Sequence, residues 1–227
     1  VAELSTTGPL AVGVPGALAA YALALEQCGQ LKLADLLLPG AEIAEQGFRI
    51  DAVYARKLAS KTATIRQFPG SRAALLKPDG TAYSQGDTLR QPDLATSYRQ
   101  LAQQGPAWFY RGGFAKQVGA WMKANGGILT AQDFADYRPV ERKPVTTTYR
   151  DYHIIGFPPP SSGGVVIGQI LKILEPFDLS HYSPNSPEYI HLFSEASKLA
   201  FADRSEHLGD PNYYSVDTVQ LLNDDYL

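Results

Sequence analysis

Two adjacent serines followed by two glycines stand behind three prolines, in the order Pro158, Pro159, Pro160, Ser161, Ser162, Gly163, Gly164. A serine hydroxyl can act as a nucleophile when a base removes its proton. This pair lacks the Gly-x-Ser-x-Gly elbow, and no histidine lies near it in sequence. The same residues suit the start of a helix: a serine at the cap, glycines that let backbone come close, and amide N–H groups pointing outward. Capping is the preferred reading of the pair, and contact with a ligand or with the wall of an active site remains open beside it.

A second set is Glu188, His191 and Glu195, spaced by three and four so that all share one helical face. Those side chains could ligate a metal. Lys198 continues the face, however, and a solvated, salt-bridged surface is the preferred reading. Asp203 extends the apolar stripe formed by Tyr189, Leu192, Phe193, Ala196, Leu199 and Ala200. A carboxylate there is expected to be buried and to need partners. Arg204 or N–H groups near Gly209 are the expected donors, in a structural network rather than as a catalytic acid. His153 alternates with strand residues and is expected at the surface or packed on a sheet. His181 and His207 fall in or beside turns and receive no role. The single cysteine, Cys28, excludes an internal disulfide and a cysteine-based zinc site; it is expected to be a small buried hydrophobe.

The elements that must position these groups can be read from punctuation and periodicity. Pro15 opens a helix that Gly29 ends. A second helix spans about 34–46 and stops at Gly47, with a kink or break possible at Pro39-Gly40. A third covers about 52–61. Residues 68–92 are turn-rich, with short extended pieces between Gly and Pro. Helices return at about 92–104 and 114–125, and Thr130 caps a short one with Asp133 three residues on. The character then changes. Residues 144–149 and 152–157 are β-branched and aromatic around Arg150-Asp151, which predicts a hairpin. Asp151 is expected to take the positive φ of its turn. Helices then run to about Leu174 and from Pro187 to Leu208, and a last short one begins near Ser215. A lone hairpin is marginal in water, so it must pack on these helices or join further strands.

Composition narrows the function classes. Of 227 residues, 44% are hydrophobic and 19% charged, and the net charge is −3. No basic excess exists to neutralise phosphates, so neither a nucleic acid nor an anionic membrane surface is an expected partner. No apolar run approaches the roughly 20 residues that span a bilayer. The chain begins at Val1 without a basic-then-apolar leader, and is expected to be a processed product or a fragment.

Four stretches together resemble the gamma-glutamyltransferase family: Val12-Gly13-Val14-Pro15-Gly16, Phe109-Tyr110-Arg111-Gly112, the Pro158–Gly164 sequence, and Glu195–Pro211. Gly126-Gly127 with Asp133 and Tyr137, Val140-Glu141-Arg142, and Tyr149-Arg150 fit as well. The resemblance covers nearly the whole chain and points to the C-terminal part of a large subunit. It implies an α+β, N-terminal nucleophile (Ntn) hydrolase-type αββα sandwich, of which this chain is a mainly helical part with at least one β-hairpin. It is expected as one domain fragment over 1–227, helical over about 11–137 and carrying the hairpin and further helices over about 143–227. It further implies a precursor that cleaves itself, and a small-subunit partner whose N-terminal threonine attacks gamma-glutamyl amides such as glutathione. The family uses no metal or organic cofactor and is periplasmic or secreted. Thr146-Thr147-Thr148 sits inside a strand, and no nucleophile motif occurs here, so the chain alone is expected to be inactive. Ser161, Ser162, Gly163 and Gly164 are the expected substrate-facing residues. Cephalosporin or glutaryl acylases and poly-gamma-glutamate capsule transferases share the superfamily and stay open as alternatives, as does a non-catalytic helical binding domain.

Overall fold

The structure, a computed structural model, describes residues 4–227. Two compact units divide after Pro139.

The first unit is helical. Helix α1 (Ala17–Cys28) runs from Gly16 to Gly29. Pro15 lies outside it, because its carbonyl serves a tertiary hydrogen bond with Tyr110. Helix α2 (Leu33–Gln46) passes through Pro39 without breaking. Its main packing partner is α5 (Pro92–Gln104). Small residues make that approach possible: Ala41 and Ala95 are completely buried and Ala44 nearly so, with Leu101 buried beside them. Packing along the whole length holds α2 together across the one backbone bond that proline removes. Asp51 caps α3 (Ala52–Arg66) by accepting the Tyr54 N–H at 2.7 Å. Helix α4 (Pro69–Leu75) occupies a stretch whose glycine and prolines predict only turns. Here Pro69 starts a helix at its first position, where no N–H is needed. Strands β1 (Phe48–Arg49) and β2 (Thr88–Leu89) pair antiparallel, with Phe48 opposite Leu89.

Helices α6 (Pro106–Tyr110), α7 (Gly113–Ala124) and α8 (Ala131–Asp136) close the unit. The Thr130–Asp133 capping box forms as the spacing predicts: Asp133 accepts the Thr130 N–H at 2.7 Å. Phe134, Ala115 and Tyr110 make the core, ringed by Leu18, Ala19, Phe109 and Tyr137. Phe109 stacks on Phe114 with ring centres 4.1 Å apart. Cys28 is exposed, contrary to expectation. It is the last residue of α1, past the stretch around Leu18 and Ala19 that faces the core.

In the second unit β3 (Val145–Tyr149) and β4 (Tyr152–Gly156) form the expected hairpin, with Thr147 opposite Ile154. The positive φ falls on Arg150, at 50°, and not on Asp151. Tertiary bonds hold that residue: its N–H donates to the Glu175 carboxylate, and its guanidinium to the Phe177 carbonyl at 3.3 Å. Two helices pack on each other here, α9 (Gly163–Leu174) and α10 (Pro187–His207). Ser186 caps α10 through the Tyr189 N–H. The short helix expected near Ser215 is a single 3-10 turn further on, at Gln220–Leu222. Asp217 caps it by accepting the Gln220 N–H at 2.9 Å.

Candidate functional site

In the second unit the polypeptide leaves β4 at Gly156, passes Pro158–Pro160 and turns directly into α9. Prolines supply no ladder N–H, so the strand ends there. The Pro159–Pro160 bond is cis. The Ser161 N–H donates to the Pro158 carbonyl at 3.1 Å and closes the turn. An open cleft of about 410 Å³ lies beside the prolines, lined among others by Arg142, Lys143, Pro158, Pro159 and Pro211.

The four residues expected to face substrate have different surroundings. Ser161 is exposed, and its hydroxyl accepts the Gly163 N–H at 3.3 Å. Ser162 stands at the cap position of α9, yet its side chain makes no capping bond. Its backbone is already helical, which points the hydroxyl away from the first-turn amides. The hydroxyl instead accepts from Nε of Arg204 at 3.0 Å. The capping reading therefore fails for the side chain of Ser162. Gly163 is open: a Cβ there would meet only the Ser161 hydroxyl, at 3.6 Å. Gly164 is buried, and a Cβ on it would lie 2.5 Å from the Phe157 carbonyl oxygen and 3.0 Å from Gly156 C. The backbone that approaches Gly164 is thus the protein's own β4, met by a second glycine, Gly156.

Behind the turn lies a polar network. Gln169 is fully buried; its amide nitrogen donates to the Asp203 carboxylate at 2.6 Å and to the Leu221 carbonyl at 2.9 Å. Both partners are acceptors, which fixes which end of the amide is nitrogen. Asp203 also accepts from the Tyr226 hydroxyl at 3.0 Å. That bond, with burial and the nearby carboxylate charges, raises the Tyr226 pKa. Asp203 is half-buried, not fully buried, and its partners are Gln169 and Tyr226 rather than Arg204 or the Gly209 loop. Sequence reasoning missed Gln169. Its signal was the one amide in the apolar run from Val165 to Leu174. Nothing local marks Tyr226.

The Glu188, His191 and Glu195 side chains are solvent-exposed, and Lys198 pairs with Glu195 at 2.9 Å. That is the salt-bridged face the spacing predicts. His153 is exposed on β4.

In the first unit, two of the recognisable stretches meet. The Tyr110 hydroxyl donates to the Pro15 carbonyl at 2.7 Å and accepts the Ala19 N–H at 3.0 Å. Burial raises its pKa. A Cβ at Gly16 would overlap the Tyr137 hydroxyl at 2.0 Å. These residues do structural work around a pocket of about 240 Å³ lined by Leu23, Glu26, Arg111 and Arg138, among others.

Arginine only donates hydrogen bonds, so Arg204 cannot serve Ser162 as a base. No carboxylate or imidazole bonds either serine among the described residues. What the fold defines is a mainly helical α+β portion of an Ntn hydrolase. The gamma-glutamyltranspeptidase family model matches residues 1–227, and the chain belongs to that family. It is 39% identical over 222 residues to the glutathione hydrolase proenzyme of Escherichia coli (strain K12), covering 98% of this chain and 38% of that protein. It is 38% identical to the acylase ACY 1 proenzyme of Pseudomonas sp. (strain V22), again over 98% of this chain and 40% of the relative. The gamma-glutamyltranspeptidase structure from Helicobacter pylori superposes with a TM-score of 0.96 at 38% identity, over all of this chain and 65% of the other. The chain thus spans well under half the length of these curated relatives. Those relatives are proenzymes, and no helix among the described residues is long and apolar enough to cross a membrane.

Proposed function

We propose that these residues form part of the large subunit of a periplasmic or secreted enzyme that hydrolyses or transfers the gamma-glutamyl group of glutathione and related amides. The nucleophile is a threonine on a small subunit, from a part of the protein outside these 227 residues. Its hydroxyl adds to the gamma-carbonyl, its amino group takes the proton, and the amine leaves with that proton to give an acyl ester. Water or a second amine then releases the acyl group. In this reading Ser161, Ser162, Gly163 and Gly164 line the substrate side of the large subunit, and the enzyme uses no metal or organic cofactor.

The observation that carries the proposal is the match of the whole chain to the family, at 0.96 structural similarity to a gamma-glutamyltranspeptidase. Ile155 on β4 and Phe157 just beyond the strand support a subunit partner, being 73% and 78% exposed. Large apolar side chains left exposed on a two-stranded sheet, which is marginal alone, suit a covering surface. A second reading, hydrolysis of acyl amides of the acylase type, is favoured by the nearly equal identity to the acylase ACY 1 proenzyme. The test measures the intact mass of the full-length protein before and after incubation, then turnover of gamma-glutamyl anilide against glutaryl anilide. Self-cleavage with preference for the gamma-glutamyl substrate is expected. Preference for glutaryl anilide selects the second reading. An uncleaved protein inert to both overturns the proposal.

A further inference from the structure

The bond between Arg204 and Ser162 joins two stretches 42 residues apart, one at the start of α9 and one in the last turn of α10. An arginine in the last turn of a helix has local partners available, the free carbonyls and the negative end of the helix dipole. Arg204 reaches across to a serine hydroxyl instead. Its guanidinium also lies over the ring of Phe201, 5.8 Å from the centroid. No carboxylate pairs with it among the described residues.

The chemistry of a hydroxyl gives that bond a direction. Serine has one proton to donate and two lone pairs that accept. The Arg204 N–H occupies a lone pair, and arginine offers no acceptor for the serine proton. The O–H is therefore turned away from the guanidinium and left free to donate. A positive charge stands behind it, which strengthens it as a donor. A donor of this kind suits a carbonyl or carboxylate oxygen.

We infer that Arg204 is a positioning residue, holding the Ser162 hydroxyl as a hydrogen-bond donor to the acyl-donor substrate. The inference rests on the reading that the Ser161–Gly164 turn faces substrate. Arg204 itself touches no reacting atom. Its removal frees the Ser162 side chain to rotate, so that the hydroxyl no longer presents its proton in one direction.

The experiment uses the full-length protein with gamma-glutamyl anilide as the probe, and compares Ser162→Ala, Arg204→Leu, Arg204→Lys and the Ser162→Ala/Arg204→Leu double variant. Loss of one such bond raises KM by about tenfold, with kcat within about twofold. Ser162→Ala and Arg204→Leu are each expected to show that change, and the double variant no more than either alone. Arg204→Lys, which keeps a charged donor, recovers most of the KM. Thermal melts run in parallel, because a merely structural role lowers the melting temperature and leaves KM in place. A normal KM in Ser162→Ala overturns the reading of the turn as substrate-facing. A raised KM in Ser162→Ala with a normal KM in Arg204→Leu, or penalties that multiply in the double variant, overturns the role of Arg204 alone.

Discussion

Adding one methyl group at Gly164 or at Gly163 is expected to have opposite consequences, although the residues are neighbours in one turn. A Cβ on Gly164 would sit 2.5 Å from the Phe157 carbonyl oxygen, 3.0 Å from Gly156 C and 3.2 Å from Gly156 Cα. All three are backbone atoms, so no side chain can swing aside, and α9 must move off β4 by several tenths of an ångström. Overpacking of this kind costs about 1–3 kcal/mol, and the upper end applies where backbone must shift. For a domain of this size a loss of about 3 kcal/mol lowers the melting temperature by roughly 6–12 °C. A Cβ on Gly163 has ordinary contact with the Ser161 hydroxyl and nothing else. Replacing a helical glycine by alanine where the backbone allows it gains about 0.4–1 kcal/mol through the unfolded chain. Circular-dichroism melts of Gly164→Ala and Gly163→Ala in the full-length protein measure both. A Gly164→Ala protein that melts with wild type refutes the close approach of α9 and β4. A Gly163→Ala protein that falls as far as Gly164→Ala refutes the open surroundings of Gly163.

Asp203→Ala removes the charged acceptor of a fully buried amide and is expected to cost about 2 kcal/mol, within the range for a lost bond to a charged group; denaturant melts alongside the exposed Glu188→Ala check it, and equal, near-zero costs would count against the network. Tyr110→Phe leaves the Pro15 carbonyl and the Ala19 N–H without their partner, and a loss of about 1–3 kcal/mol is expected by the same assay. Tyr226 has a raised pKa in the folded protein. Its contribution is therefore complete below the unfolded tyrosine value of about 10 and is lost as pH rises through the higher folded value. Between pH 9 and about 12 wild type should lose more stability than Tyr226→Phe, because ionised Tyr226 would face the Asp203 carboxylate; parallel pH curves would contradict that pairing.

Local chemistry made many elements legible. The Thr130–Asp133 box, the glycines at 29 and 47, and the β-branched runs on either side of Arg150 each act within a few residues, and each appears where the spacing puts it. What failed to show in the sequence depends on partners far along the chain. Helix α2 survives Pro39 because α5 covers it, and nothing between Leu33 and Gln46 states that. The two-residue strands β1 and β2 are too short for alternation to register, and their pairing spans a 38-residue connection. In the site the same division holds. The serines, the glycines and Asp203 could be singled out from type and position. Their roles could not, since Ser162 is set by Arg204 and Asp203 by Gln169 and Tyr226.

The residues that make this family recognisable mostly hold backbone in place. In the first unit Gly16 gives room to the Tyr137 hydroxyl, and Tyr110 ties its own stretch to Pro15 and Ala19. In the second, Gly156 and Gly164 bring strand and helix into contact, while Gln169 and Asp203 lock the two helices. A motif rich in serine and glycine invites the expectation that all four positions serve something outside the chain. The structure divides them on physical grounds. Gly164 is consumed by the protein's own strand, and Ser161 closes on the neighbouring Gly163 amide. Gly163 leaves space and offers no functional group beyond its amide. Both serine hydroxyls accept a bond and keep a proton to donate: that of Ser161 accepts a nearby backbone N–H, and that of Ser162 accepts from a charge that cannot take its proton. On the proposed reading these two O–H groups are what the motif offers a bound molecule, and Arg204 gives the one at Ser162 its direction.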